Sequence, residues 1–94
     1  MADYTILYWR DIPSMVEARE GRTKAKIQLS DRFQVLIDAV AMRRGLVGTD
    51  AYIEQWRRGE KQSRAGTADD VAAAVAAELE AQYEAIKASS AAHG

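Results

Sequence analysis

At 94 residues the chain is one domain, and a domain this small buries only about 60–65% of the surface its unfolded chain exposes, so its stability margin is thin. It has no cysteine, which excludes a disulfide staple and thiolate metal ligands and fits a reducing cytoplasm. The net charge of −1 conceals a division: residues 1–64 hold 12 Lys/Arg against 9 Asp/Glu, and residues 65–94 hold 1 against 5.

A basic body with an acidic C-terminal part suits either an acidic partner or docking of the one on the other. The N-terminus carries no basic n-region, and the apolar run Ile6 to Trp9 is far shorter than the ~7–15 residues of a signal sequence's h-region. Val71 to Ala77, the longest apolar run, falls well below the ~20 residues of a membrane span. The expectation is a soluble, cytoplasmic protein with no membrane partner.

Tyr4 to Trp9 is entirely β-branched, aromatic or leucine, the composition of a strand. Strict alternation puts Tyr4, Ile6 and Tyr8 on one face and Thr5, Leu7 and Trp9 on the other. Arg10-Asp11-Ile12-Pro13 interrupts the run, because Pro13 offers no amide to a ladder and pushes Ile12 toward an extended conformation. Ser14 to Glu20 alternates as a second strand, with Val16 and Ala18 on one side and Met15, Glu17 and Arg19 on the other, until Gly21 releases it. Residues 22–28 are basic and weakly periodic, a pattern compatible with a loop or a third strand.

Ser30 and Asp31 offer N-caps for a helix of about 31–44, in which Phe33, Leu36, Ile37 and Val40 recur at helical spacing before Arg43-Arg44-Gly45. Gly48-Thr49-Asp50 starts a short aromatic helix carrying Tyr52, Ile53 and Trp56, and Gly59 ends it. Arg58 to Gly66 reads as an exposed basic loop. Thr67 to Asp70 has the form of a capping box, and the helix that follows is expected to reach about Ala88, with Val71, Val75, Leu79, Tyr83 and Ile86 as its apolar stripe. The expected fold is therefore α+β: a short antiparallel sheet of two or three strands packed against three helices, in a single domain of residues 1–88 with a flexible C-terminal tail, 89–94.

Two clusters stand out as candidate partner- or ligand-binding residues: Tyr8, Trp9, Arg10 and Asp11 at the first strand's end, and Trp56, Arg57 and Arg58 downstream. Tyr, Trp and Arg are the side chains most enriched at binding hot spots. Each cluster also fits a bland role, the tryptophans as core and the arginines as solvated charge. Arg19, Arg22, Lys24 and Lys26 form a basic strip, but acids are interspersed and the pI is about 5.8, which argues against nucleic acid as a partner. His93 is the only histidine and has no companion at metal-ligand spacing, so no metal site is expected. Glu78, Glu80 and Glu84 read as a solvated helix face rather than catalytic carboxylates. No phosphate loop, nucleophile triad or cysteine nucleophile is present, and no cofactor or catalytic residue is assigned.

Tyr8-Trp9-Arg10-Asp11-Ile12-Pro13, then Ser30-Asp31-Arg32-Phe33-Gln34, then Thr49-Asp50-Ala51-Tyr52-Ile53-Glu54-Gln55-Trp56-Arg57-Arg58-Gly59, resemble the small bacterial virulence factor domain family over roughly residues 3–86. That family takes its name from a domain in a longer conserved virulence factor of staphylococci. The resemblance implies no activity and no established binding residue. Stand-alone members tend to be encoded beside folate- and corrinoid-dependent methyltransferase and reductase genes, and this context implies an accessory role in one-carbon metabolism.

The leading expectation is a non-catalytic protein-interaction or accessory module, whose partner binds at the Tyr8-Trp9-Arg10-Asp11 strand end and an exposed sheet edge beside it. A second expectation is a small-ligand or anion-binding subunit in which Trp9 and Trp56 form walls and Arg10 and Arg57 hold a carboxylate or phosphate. That arrangement requires the two aromatic clusters to converge. A third is a homodimeric structural protein joined through sheet edges or C-terminal helices.

Overall fold

The structure, a computed structural model, describes the backbone of residues 1–93 and the side chains of residues 1–90, so the reading of His93 as a non-ligand lies outside the described residues. The elements in order are β1 (Ala2–Trp9), β2 (Ile12–Glu20), β3 (Thr23–Gln28), α1 (Asp31–Arg43), α2 (Asp50–Glu54), β4 (Trp56–Arg58), β5 (Gln62–Arg64), α3 (Ala68–Ala81) and α4 (Tyr83–His93). Among the described residues the sheet has five strands and four helices accompany it, which corrects the expectation of two or three strands and three helices. Residues 23–28, open between loop and strand, are a strand paired along its whole length with β2.

Strand order is β3-β2-β1-β4, with β5 also on β1, and every pairing is antiparallel. β1 is consequently central. It meets β2 on one side, and on the other it meets β5 at Ala2 to Tyr4 and β4 at Leu7 to Trp9. The expected basic loop is thus two three-residue strands joined by Gly59 to Lys61, and the short aromatic helix stops at Glu54 instead of running to Gly59. The cause is visible in the hydrogen bonds: the Gln55 carbonyl accepts the Arg10 N–H at 3.0 Å and the Ile6 carbonyl accepts the Gly59 N–H at 2.9 Å. β1 satisfies backbone groups that another helical turn would otherwise have served.

A bulge resets β1. Leu7 pairs with Met15 but Tyr8 with Pro13, so Ser14 is skipped, and Trp9 then pairs with Ile12. Such a step breaks period-2 alternation. Ile6 and Trp9, three positions apart, are both buried, whereas strict alternation would set them on opposite faces.

Ala2, Ile6, Val16, Ala18 and Ala25 line the inner face, where Phe33, Leu36, Ile37 and Val40 of α1 and Val71, Ala72, Val75 and Leu79 of α3 complete the core. Thr67 caps α3 as the sequence indicates, its hydroxyl accepting the Asp70 N–H at 3.1 Å. The single long C-terminal helix is divided at Gln82, which leaves helical geometry with φ −92° and ψ 2°. Just after the break Tyr83 packs edge-on against Phe33, ring centroids 5.1 Å apart, under the Arg32 guanidinium at 4.3 Å. Helical backbone then continues to His93, beyond the end at about Ala88 that the sequence indicates.

The charge division resolves into internal docking. Glu80 of α3 accepts hydrogen bonds from the Ser30 N–H (2.7 Å), the Ser30 hydroxyl (2.8 Å) and Arg32, with which it forms an ion pair at 3.0 Å. Desolvation pushes its carboxyl up, but these donors together outweigh that and hold it below the ordinary carboxylate range. Ser30 therefore spends its hydroxyl on α3 and makes no side-chain cap to its own helix. Arg64 of β5 pairs with Glu78, whose carboxyl is likewise lowered by that hydrogen bond.

Candidate interaction site

Arg10 and Asp11 are the whole connection between the last pair of β1 and β2, Trp9 with Ile12. Arg10 takes φ 56°, and it is the one non-glycine residue at positive φ among those described. The left-handed region costs an L-residue roughly 1–2 kcal/mol, and a non-glycine persists there only when its surroundings hold it. Here Gln55 does so twice: its carbonyl takes the Arg10 N–H at 3.0 Å, and its side-chain oxygen takes an Arg10 guanidinium N–H at 3.3 Å.

Arg57 straps the same turn from β4. Its Nε donates to the Arg10 carbonyl at 3.1 Å, its terminal nitrogen stands 3.6 Å from the Asp11 carboxylate, and its guanidinium lies 4.7 Å above the Tyr8 ring. Arg57 and Asp11 are exposed, Arg10 and Tyr8 half-buried. The next residue, Arg58, pairs with Glu17 at 3.4 Å and reaches the Thr5 hydroxyl at 3.5 Å.

Those contacts lead onto the outer face of the sheet. The pairings lay it out in three cross-strand rows: Leu7, Met15 and Gln28; Thr5, Glu17 and Lys26; Asp3, Arg19 and Lys24. None of these nine residues is buried. Asp3, Thr5, Glu17, Arg19, Arg58 and Lys61 line a shallow depression of about 230 Å³ on this face. Glu17 is shared between Lys26 at 4.0 Å and Arg58. Asp3 accepts from the Ser63 hydroxyl at 2.6 Å. Arg19, Lys24 and Lys61 make no ion pair among the described residues, so the face carries a surplus of positive charge.

The two clusters singled out from the sequence do meet, strand against strand: Leu7 with Arg58, Tyr8 with Arg57, Trp9 with Trp56. Their roles divide. Trp9 is fully buried and donates its indole N–H to the Tyr52 carbonyl at 2.9 Å, so it is a core residue. Tyr52 packs on both indoles, 5.4 Å from Trp9 and 6.5 Å from Trp56, and fills the space that a ligand slot between tryptophan walls would need. Nor is there a free backbone edge along β1, which is paired on both sides. Tyr8, Arg10, Asp11, Arg57 and Arg58 remain at or near the surface, and half-buried Trp56 supports them. Gln55, Thr5 and Lys61 are not among the residues the sequence singles out, whereas Lys26 belongs to the basic strip it shows. Period-2 alternation through Met15, Glu17 and Arg19 and then Lys24, Lys26 and Gln28 is the signal that finds the outer face.

A family model described as "Virulence factor" matches residues 7–89. The chain belongs to the Virulence factor family. The match takes in β1 from Leu7 onward, the Arg10–Asp11 turn, β4 and α4 as far as Ser89, so the paired clusters lie wholly inside the Virulence factor domain. No curated protein and no solved structure matches the chain. Among the described residues no group of three or more His, Cys, Asp or Glu is placed to hold a metal, and no helix is long and apolar enough to cross a membrane.

Proposed function

We propose that this Virulence factor domain is a non-catalytic accessory module that binds a partner protein through the outer face of its sheet and the Arg10–Asp11 turn beside it. The observation that carries this reading is the strained, doubly fastened Arg10, held next to an uncovered face with surplus positive charge. Strain kept in place by several neighbours is a feature of functional sites, and tyrosine with arginine is the chemistry of binding hot spots. The partner class we infer is an enzyme of folate or corrinoid one-carbon transfer in the cytoplasm, on the gene context that the family resemblance implies.

The test is affinity capture from the native host with the tagged protein, its Arg57→Ala/Arg58→Ala variant and a Lys87→Ala control on α4, far along the chain from the site. The expected result is a stoichiometric protein recovered with wild type and control but lost with the double variant, whose circular dichroism and melting stay close to wild type. Equal recovery with all three proteins would overturn the reading.

A further inference from the structure

β3 forms an outer edge of the sheet. It pairs with β2 over six positions, from Met15 with Gln28 to Glu20 with Thr23, and no strand lies on its other side among the described residues. Its side chains alternate with unusual regularity: Lys24, Lys26 and Gln28 stand exposed on the outer face, while Ala25 and Ile27 face the core side beneath α3. The opposite edge is different. There β4 and β5 offer three residues each, interrupted at Gly59 to Lys61.

We infer that the free edge of β3 receives an extended segment of the partner, alternately acidic and apolar, which adds to the sheet as a sixth strand. The inference rests on the partner-binding reading above and names the chemistry of what binds. Main-chain hydrogen bonds to a free edge supply affinity in strand addition, and the alternating side chains supply specificity. Carboxylates on the outer side of the added strand stand opposite Lys24 and Lys26, of which Lys24 has no ion-pair partner among the described residues and Lys26 meets Glu17 only at 4.0 Å. Apolar residues on the other side extend the row begun by Ala25 and Ile27. The face as a whole has cations in excess, so an acidic strand relieves repulsion along its whole length.

A second copy of this chain does not fit the same edge. Antiparallel self-pairing about Ala25 sets Lys24 of each copy against Lys26 of the other, and like charges directly opposite are destabilising. Lysines on an edge guard against self-association, and here the same two lysines select the charge of what is admitted.

The test is 15N-resolved NMR titration of the full chain with capped peptides of about eight residues, enough to span the edge: one alternating Glu and Val, one alternating Lys and Val, and a scrambled Glu/Val control. The expected result is that the alternating Glu/Val peptide shifts and protects amides of Thr23 to Gln28, while the other two bind at least about tenfold more weakly, a difference of about 1.4 kcal/mol. The Lys24→Glu/Lys26→Glu variant should exchange the preference and take the Lys/Val peptide. Equal binding of alternating and scrambled peptides, perturbation confined to β4 and β5, or no perturbation at all would overturn the inference. Any of these would leave the capture experiment to stand or fall separately, since it reads a partner bound at Arg57 and Arg58.

Discussion

Trp9 and Trp56 stand directly opposite one another on β1 and β4, 47 positions apart in the chain, and Tyr52 joins them through both its ring and its carbonyl. The most distinctive stretches of the sequence therefore meet in the packing that fixes β4 to the sheet. What each tryptophan positions is the arginine after it: Arg10 at the turn and Arg57 across it, joined by a hydrogen bond from Arg57 to the Arg10 carbonyl. Aromatic bulk lies inside and cationic, hydrogen-bonded polarity outside, and the surface that can meet a partner is made of the second set.

Replacing Trp9 tests this division. Trp9→Ala removes a fully buried indole and its bond to Tyr52, and is expected to cost about 3–5 kcal/mol, as large-to-small core changes do. Trp56→Ala, at a half-buried ring, should cost about 1–3 kcal/mol. For a domain of this length each kcal/mol lowers the melting temperature by roughly 4–8 °C, so thermal denaturation separates the two. Equal losses would mean that Trp9 is not the core residue its burial indicates.

Arg10 permits a prediction in which two effects oppose one another. Arg10→Gly removes the left-handed strain and loses the side-chain bond to Gln55. These effects are each on the order of 1 kcal/mol and should nearly cancel, leaving stability within about 0.5 kcal/mol of wild type. Arg10→Val keeps the strain with a β-branched side chain and should be less stable by about 2 kcal/mol. Urea denaturation of both variants measures the difference. If Arg10→Gly proved strongly destabilised, the turn would need the arginine for folding, and its strain would no longer point to binding.

Much of this architecture is legible in the residues, and the parts that are not share physical causes. β1, β2 and α1 carry clear periodicities and capping residues, and they form within a few positions of where the sequence places them. β4 and β5 do not, because Trp56-Arg57-Arg58 and Gln62-Ser63-Arg64 are too short to show a period and are strands only by virtue of β1 beside them. The break at Gln82 is silent as well: nothing in the alanine- and glutamate-rich run opposes a continuous helix, and the contact of Tyr83 with Phe33 that accompanies it is a tertiary one. Strict alternation sets Trp9 on the wrong face because the register shifts just before it, where Ser14 of β2, next to Pro13, is the extra residue of a bulge. The convergence of the two clusters, by contrast, is what a ligand site between Trp9 and Trp56 requires. The geometry meets that requirement while burying the ring that was to serve as a wall.

Glu80 makes the domain's stability depend on acid. Its folded-state pKa lies below the ordinary value, so its contribution is fully present above the unfolded carboxyl's pKa of about 4.3 and is lost as pH falls through the lower folded value. Glu78 has the same sign. Stability should accordingly begin to decline below about pH 5. Glu80→Gln should flatten that decline while costing about 1 kcal/mol at neutral pH, a figure kept small because the site is partly solvated. Denaturation curves from pH 3 to 7 for wild type and variant provide the check, and parallel pH profiles would refute the assignment.

Gly59 offers the sharpest test of how closely β4 and β5 are fitted to β1. A Cβ added at this position would lie 2.9 Å from Cε2 of Tyr8 and 3.5 Å from the Ile6 carbonyl oxygen, which the Gly59 N–H itself occupies. The backbone there is not at positive φ, so conformational strain is not the issue. The Tyr8 ring must move, and it is held by the Arg57 guanidinium above it. Gly59→Ala is therefore expected to cost about 1–3 kcal/mol through overpacking. In a Tyr8→Ala background, where the ring is gone, the same substitution should cost about 0.5 kcal/mol or less, giving a coupling of about 0.5 kcal/mol or more in a double-mutant cycle. Additive effects would show that the ring does not constrain the β4–β5 crossing, and the strap of Arg57 over Tyr8 would lose its part in holding the Arg10–Asp11 turn.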